Sequence, residues 1–324
     1  MCDSKTLGSP GVFAVQGTLD PMDNLEERPS MGILLRVLSG LLFTGMLVCI
    51  KAVSDTVPVG QSVFFRSLFA LLPIVVFLML RREFPQGLAT RRPLGHALRS
   101  GLGAAAMFAS FAAVALLPVA EATLLAQLTP VFMAVGGVLL LGERFSLYRA
   151  GGVLLALAGV AVLILPGLDA SAGNGQLTGY ILGALSALLT AGALLTVRRI
   201  SRTETAASIA FYFIVVAALA GLATLPLGWA SLTRVEFALL VLSGLFGGAA
   251  HIAMTLALRY AEASRLAPFE YIALVWPVLA DWVLFGSPVS SAFLLALPLM
   301  LSGVALAAME GRRLRLRVKW LLRR

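Results

Sequence analysis

Along the chain, long apolar runs alternate with short polar breaks. Ten runs approach or exceed the roughly 20 residues a helix needs to cross a bilayer core of about 30 Å. They cover 32–53, 61–80, 97–117, 120–141, 149–167, 177–197, 206–226, 236–257, 266–285 and 291–310. Within each run apolar residues are continuous rather than alternating, which argues against lipid-facing barrel strands. Helices satisfy their own backbone polar groups, as lipid requires. The pattern therefore predicts an all-α polytopic membrane protein of ten transmembrane helices. Only Pro118 and Val119 separate the third and fourth runs, and Pro118 is the expected break.

Composition supports this reading. The 324 residues are 59% hydrophobic and 13% charged, where a soluble domain is nearer half apolar and a quarter charged. The net charge of +9 raises the question of nucleic acid. Lys and Arg fall in short clusters between apolar runs, however, rather than along one face with interleaved aromatics. No nucleic-acid partner is expected. Residues 1–30 hold Pro, Gly, Asp and Glu with little periodicity and read as a disordered cytoplasmic tail rather than a signal peptide. Cys2 and Cys49 make neither a disulfide framework nor a metal spacing.

Charge placement orients the helices. The second, fourth, sixth and eighth connections carry Arg81, Arg82, Arg91 and Arg92; Arg144; Arg198, Arg199 and Arg202; and Arg259 and Arg265. The odd connections carry only Arg234, while a basic tail over 311–324 adds seven more cations, from Arg312 to Arg324. Arginine stays on the cytoplasmic side. Both termini are expected in the cytoplasm, with the basic tail against an anionic leaflet of the cell's inner membrane.

The two halves of the chain repeat. LLLGERFSLYRAGG from Leu139 overlays VLFGSPVSSAFLLA from Val283. At the same offset AEATLLAQLTPVFMAVGGVLLLGE from Ala120 overlays SRLAPFEYIALVWPVLADWVLFGS from Ser264, and Gly159-Val160-Ala161 overlays Gly303-Val304-Ala305. At a slightly longer offset KAVSDTVPVGQSVFF from Lys51 overlays RRISRTETAASIAFY from Arg198. Five helices per half is an odd number, so the second half enters the membrane inverted. The break at Glu143-Arg144 then faces the cytoplasm and the one at Ser287-Pro288 faces outside, which accounts for arginine in the first and no charge in the second. Inverted repeats are a transporter architecture, with the substrate near the midplane between halves.

The stretch ALLPVAEATLLAQLTPVFMAVGGVLLLGERFSLYRAGGVLLALAGVAVL, with a Pro in mid-helix and GER before the next helix, resembles the drug/metabolite transporter superfamily, specifically its EamA-type members. GGAAHIAMTLALRYAEASRLAPFEYIALVWPVLADWVLFGSP is similar to a bacterial subgroup of the same family. Ser287 departs from the pattern, which usually has an acidic residue there. The resemblance covers residues 31–310, as repeats over 31–168 and 176–310. It implies secondary transport of a small organic solute by alternating access, with the third, fourth, eighth and ninth spans lining the cavity.

Enzyme signatures HExxH, GxSxG, CxxC and the Walker loop are absent, and His96 and His251 are too few and too far apart for a metal cluster. No cofactor is expected. Two other readings remain: a carrier of anionic sugar- or nucleotide-phosphates, and a non-transporting structural subunit. Nothing in the sequence sets an oligomeric state.

Ionisable groups inside spans are costly and mark candidate sites. Arg66 and Asp281 lie about 8 Å from the outer ends of their spans at 1.5 Å per residue. Arg66 suits a carboxylate or phosphate, or pairs with Asp281, or snorkels outward. His251 and Glu270, about 9 and 6 Å from inner ends, suit proton coupling, polar substrate contact or a structural pair. Glu121 suits a helix N-terminus, and Lys51 is a further cation. Tyr271 and Trp276 suit an aromatic cavity wall or simple packing, and Trp282 an interface anchor. Gly244 and Gly248 suit close helix approach.

Overall fold

The computed structural model describes residues 28–80, 82, 84–85, 88–141, 147–165, 174–201, 203–261, 266, 269 and 273–321. Its elements are helices: α1 Pro29–Val53, α2 Val59–Leu80, α3 Pro93–Leu116, α4 Val119–Ala126, α5 Thr129–Leu141, α6 Leu147–Ile164, α7 Asn174–Ile200, α8 Ala206–Leu222, α9 Arg234–Tyr260, α10 Val275–Leu284 and α11 Ser291–Leu321. Among the described residues seven spans are long and apolar enough to cross a bilayer, and shorter apolar stretches in α6, α10 and α11 bring the total to ten.

Local chemistry sets many of the ends. Pro29 and Pro93 open α1 and α3, where the missing N–H has no helical acceptor to lose. Thr205 caps α8, and Thr233 with Glu236 makes a reciprocal capping box on α9. Pro118 separates α3 from α4, as expected.

Two expectations change. The fourth span is not one helix: it breaks at Gln127-Leu128 into α4 and α5, because Pro130 cannot donate to Ala126 and its ring crowds that carbonyl. The last helix runs on to Leu321 rather than stopping near 310, since the Arg, Leu and Lys that follow are strong helix formers with no Pro to stop them.

α2 sorts its faces in the sense a membrane demands. On α2, Leu68, Leu72, Val76 and Met79 point outward, while Ser62, Arg66, Ser67, Ala70, Ile74 and Leu78 are buried. The core forms two main clusters, one across α1, α2, α3, α8 and α9, the other across α4 to α7, α10 and α11. Each cluster mixes helices from both halves of the chain.

The packing repeats under exchange of those halves. α1 lies on α9 as α7 lies on α3; α2 lies on α9 as α8 lies on α3; α2·α8 and α6·α11 are their own counterparts. At α6·α11 the correspondence reaches single residues. A Cβ on Gly159 would meet the Ala296 carbonyl at 3.1 Å, and one on Gly303 would meet the Gly152 carbonyl at 2.7 Å. Shifting Gly159 and Ala296 by the repeat offset gives Gly303 and Gly152, so one contact is the inverted image of the other.

Inter-helix connections gather at two faces. At the arginine-rich one, Glu204 meets the Arg91 backbone and His96. At the other, Thr56 donates to Glu236, Gln61 bonds the Ala230 backbone, and Ser290 donates to Glu121. Among the described residues, counting the first helix turn after each, the second connection therefore meets the sixth, the first meets the seventh, and the third meets the ninth.

Candidate functional site

A stripe on α1 collects three of the sequence candidates. Gly40, Phe43 and Met46 span about 9 Å of helix. Gly40 is bare enough for Ala273 to approach, since a Cβ there would lie 2.5 Å from the Ala273 Cβ, and the Trp276 ring stands 3.7 Å from the same point. Phe43 meets the His251 ring edge-on at 5.1 Å between centroids. The Met46 sulfur accepts a long bond of 3.4 Å from Arg66 Nε. Trp276, His251 and Arg66 thus line up against one helix although they come from α10, α9 and α2.

Arg66 is only 2% exposed, so it does not snorkel to the surface. Gly247 on α9 makes room for it; a Cβ there would sit 2.9 Å from the guanidinium. The neighbouring pair Gly244 and Gly248 packs α9 onto α2: a Cβ at Gly244 would lie 2.8 Å from the Arg66 carbonyl and one at Gly248 2.9 Å from that of Ala70. Small residues therefore do two things, bringing backbones together and opening a slot for one large cation. Arg66 Nη1 is buried with no protein partner.

A second buried guanidinium, which sequence reasoning missed, lies on α3. Arg99 stacks on the Phe213 ring, its carbon 4.6 Å from the centroid, with Nε and Nη1 buried and unpartnered. His251 lies in the electrostatic field of both Arg66 and Arg99. The expected start of the third span at 97 left Arg99 at a helix edge. The signal available was Pro93, a residue suited to the first helical position, which places Arg99 two turns inside α3. Trp276 Nε1 is a further buried donor without a partner.

The expected pair of Arg66 with Asp281 does not form. Asp281 gives both carboxylate oxygens to the first turn of α4, accepting from Val119 N at 3.0 Å and Ala120 N at 2.7 Å. The N–H groups of that first turn, which have no helical acceptor, and the helix dipole supply the positive partner. Glu121 does sit in the first turn of α4, but its oxygens accept from Tyr180 Oη at 2.8 Å and Ser290 Oγ at 3.1 Å. Lys51 Nζ donates to the Ala115 carbonyl at the end of α3, tying two helix ends together. Trp282 is exposed, as an interface anchor would be. Glu270, Tyr271, Glu143 and Arg144 lie outside the described residues. Among the described residues no cluster of three His, Cys, Asp or Glu is placed to hold a metal.

The arrangement is therefore a polar, cationic centre walled by Phe43, Phe213 and Trp276 between α1, α2, α3, α8, α9 and α10. It has N–H donors to offer and no carboxylate bonded to either guanidinium among the described residues.

Residues 30–165 and 177–309 each match the EamA-like transporter family. The chain is 31% identical over 271 residues to the pseudopaline exporter of Pseudomonas aeruginosa, covering 82% of this chain and 91% of that protein. It is 29% identical over 279 residues to the riboflavin transporter of Rhizobium johnstonii, covering 85% and 90%. One crystal structure superposes with a TM-score of 0.60 at 25% identity, over 88% of this chain and 99% of the other.

Proposed function

The chain belongs to the EamA-like transporter family, and on that premise we propose how it works. It is a secondary transporter of small organic metabolites that uses alternating access. The observation that carries this reading is the exchange symmetry of the packing around a central polar site. Two inverted five-helix halves that meet through small residues can rock about their junction, opening first one face and then the other.

Arg66, His251 and Trp276 are the described candidates for contact with the solute, with Glu270 and Tyr271 from the sequence beside them. The relatives are named as a pseudopaline exporter and a riboflavin transporter, and an organic solute suits a site with aromatic walls and a few donors. The arginine-rich face is the cytoplasmic one, both termini lie there, and the protein sits in the inner membrane. The chain carries no chemistry of its own: it binds, reorients and releases.

Reconstitution tests this. Purified protein in liposomes is expected to exchange labelled metabolites across the bilayer without ATP, and Trp276→Ala is expected to weaken that exchange while the protein stays folded. A pH gradient applied in the same vesicles decides whether protons are coupled. Folded, reconstituted protein that moves no solute in either direction would sink the reading.

A further inference from the structure

The unsatisfied groups at the centre share one chemical property. Arg66 Nη1, Arg99 Nε, Arg99 Nη1 and Trp276 Nε1 are all buried without a protein partner. Every one is a donor with no capacity to accept. Two of the three side chains also carry a full positive charge that stays on at any physiological pH. Among the described residues no carboxylate is bonded to either guanidinium, and three buried carboxylates are engaged elsewhere. Asp281 caps α4, Glu121 is taken by Tyr180 and Ser290, and Glu204 is taken by His96 and the Arg91 backbone.

Cations buried this way cost stability with nothing in the described fold to offset them. Water could accept the hydrogen bonds but would leave both charges uncompensated. The partner that these groups lack among the described residues is rich in acceptors and negatively charged. Arg offers its N–H groups as a planar fork, which matches the two oxygens of a carboxylate or the face of a phosphate. The surrounding surface is aromatic: Phe43 beside His251, Phe213 under Arg99, and the Trp276 indole.

We infer that the carried solute is an organic anion, whose carboxylate or phosphate oxygens take the free N–H groups of Arg66 and Arg99 while its body lies against Phe43 and Trp276. This rests on the transporter reading and names the substrate class of the same site. On one side of the cycle the anion enters; its charge offsets the two guanidiniums, by half for a monocarboxylate and nearly in full for a dicarboxylate or phosphate monoester, and lowers the cost of burying them. An empty carrier would keep the site wetted, so solute and closure are coupled by charge compensation.

The test uses full-length protein and matched probes. Benzoate, phenylacetate and glutarate are each set beside the corresponding amide, and phenyl phosphate beside phenol. Thermal stabilisation of the purified protein is read for every member. At least one acid is expected to stabilise where its neutral counterpart does not. Whether the carboxylates or phenyl phosphate dominate identifies the oxyanion. Arg66→Gln and Arg99→Gln are each expected to weaken the acid's apparent affinity by about tenfold or more. Their midpoints without ligand should match or exceed the wild type, because an uncompensated charge has been removed.

Acids that stabilise no better than their neutral partners would overturn the inference. So would variants that keep the full acid response, or that lose stability without ligand, since a guanidinium with a structural partner behaves that way. Liposome exchange separates the two levels. Flux of neutral solutes alone leaves the transporter reading standing and removes the anion. Absence of all flux removes both.

Discussion

Glu204 and His96 meet at the arginine-rich face, with carboxylate and imidazole nitrogen 3.0 Å apart and both side chains buried. Glu204 belongs to the connection between α7 and α8; His96 is the fourth residue of α3. The inverted counterpart of this contact stands at the opposite face. Thr56, between α1 and α2, donates to Glu236, the third residue of α9, at 2.5 Å. Each ties the connection ahead of one half's second helix to the start of the other half's third helix. One latch is ionisable on both sides and the other on one.

The first latch gives a pH dependence. The His96 hydrogen bond holds the Glu204 carboxyl below its usual range, helped by the Arg91 N–H and the Thr90 hydroxyl. A depressed carboxylate contributes stability that is complete above its unfolded value of about 4.3 and fades as pH falls through the lower folded value. The thermal midpoint is therefore expected to drop on acidification from about pH 5 toward pH 3. Glu204→Gln should start lower at neutral pH and flatten that drop. An equal acid response in wild type and variant would remove the pair from the account.

Asp281 caps α4 with two charge-assisted backbone bonds. Asp281→Ala leaves two buried N–H groups bare and is expected to cost about 2–4 kcal/mol. Asp281→Asn keeps one acceptor oxygen and should cost roughly half of that. Denaturation in detergent reads both. Near-wild-type stability of Asp281→Ala would mean that the cap contributes little.

Glycines supply a test in which one substitution has opposite signs. A Cβ on Gly303 would come within 2.5 Å of the Ala156 nitrogen, whereas one on Gly101 meets nothing within 4 Å. Gly303→Ala is expected to destabilise by about 1–3 kcal/mol through forced separation of α6 and α11. Gly101→Ala is expected to gain about 0.5–1 kcal/mol from the reduced freedom of the unfolded chain. Thermal midpoints of the two variants should move in opposite directions.

Sidedness can be read by labelling. Ser201 and Ser231 are both exposed, in the sixth and seventh connections. In a chain with Cys2 and Cys49 replaced by Ser, a cysteine at 201 should react only with permeant reagent in intact cells, and one at 231 with impermeant reagent as well. Reaction of both from the same compartment would refute the inverted arrangement.

Ten spans, two inverted halves and the arginine asymmetry were legible in the sequence because each follows from bulk rules. Apolar length reports bilayer crossing, and arginine reports the side on which a connection stays. The break at Pro118 was equally legible, since a missing N–H acts locally. Arg66, His251 and Trp276 were identified because polar groups inside apolar runs stand out. Their alignment along Gly40, Phe43 and Met46 was not, because nothing in one dimension says which face of α1 meets α2, α9 and α10.

Partners were the least legible feature. Depth along the helices brought Arg66 and Asp281 to the same level, and the tertiary structure separated them. Asp281 turned to the open end of α4, a partner made of backbone and therefore invisible to residue identity. Arg66 instead acts on His251 together with Arg99, a residue near the start of the third run that the sequence reading passed over. The sequence alone determined that the chain crosses the membrane, how often, and with what internal symmetry, because hydrophobic length and charge act on each segment separately. Only the tertiary structure decided which charges share the centre, because that depends on helix rotation and on the small residues that let particular faces approach.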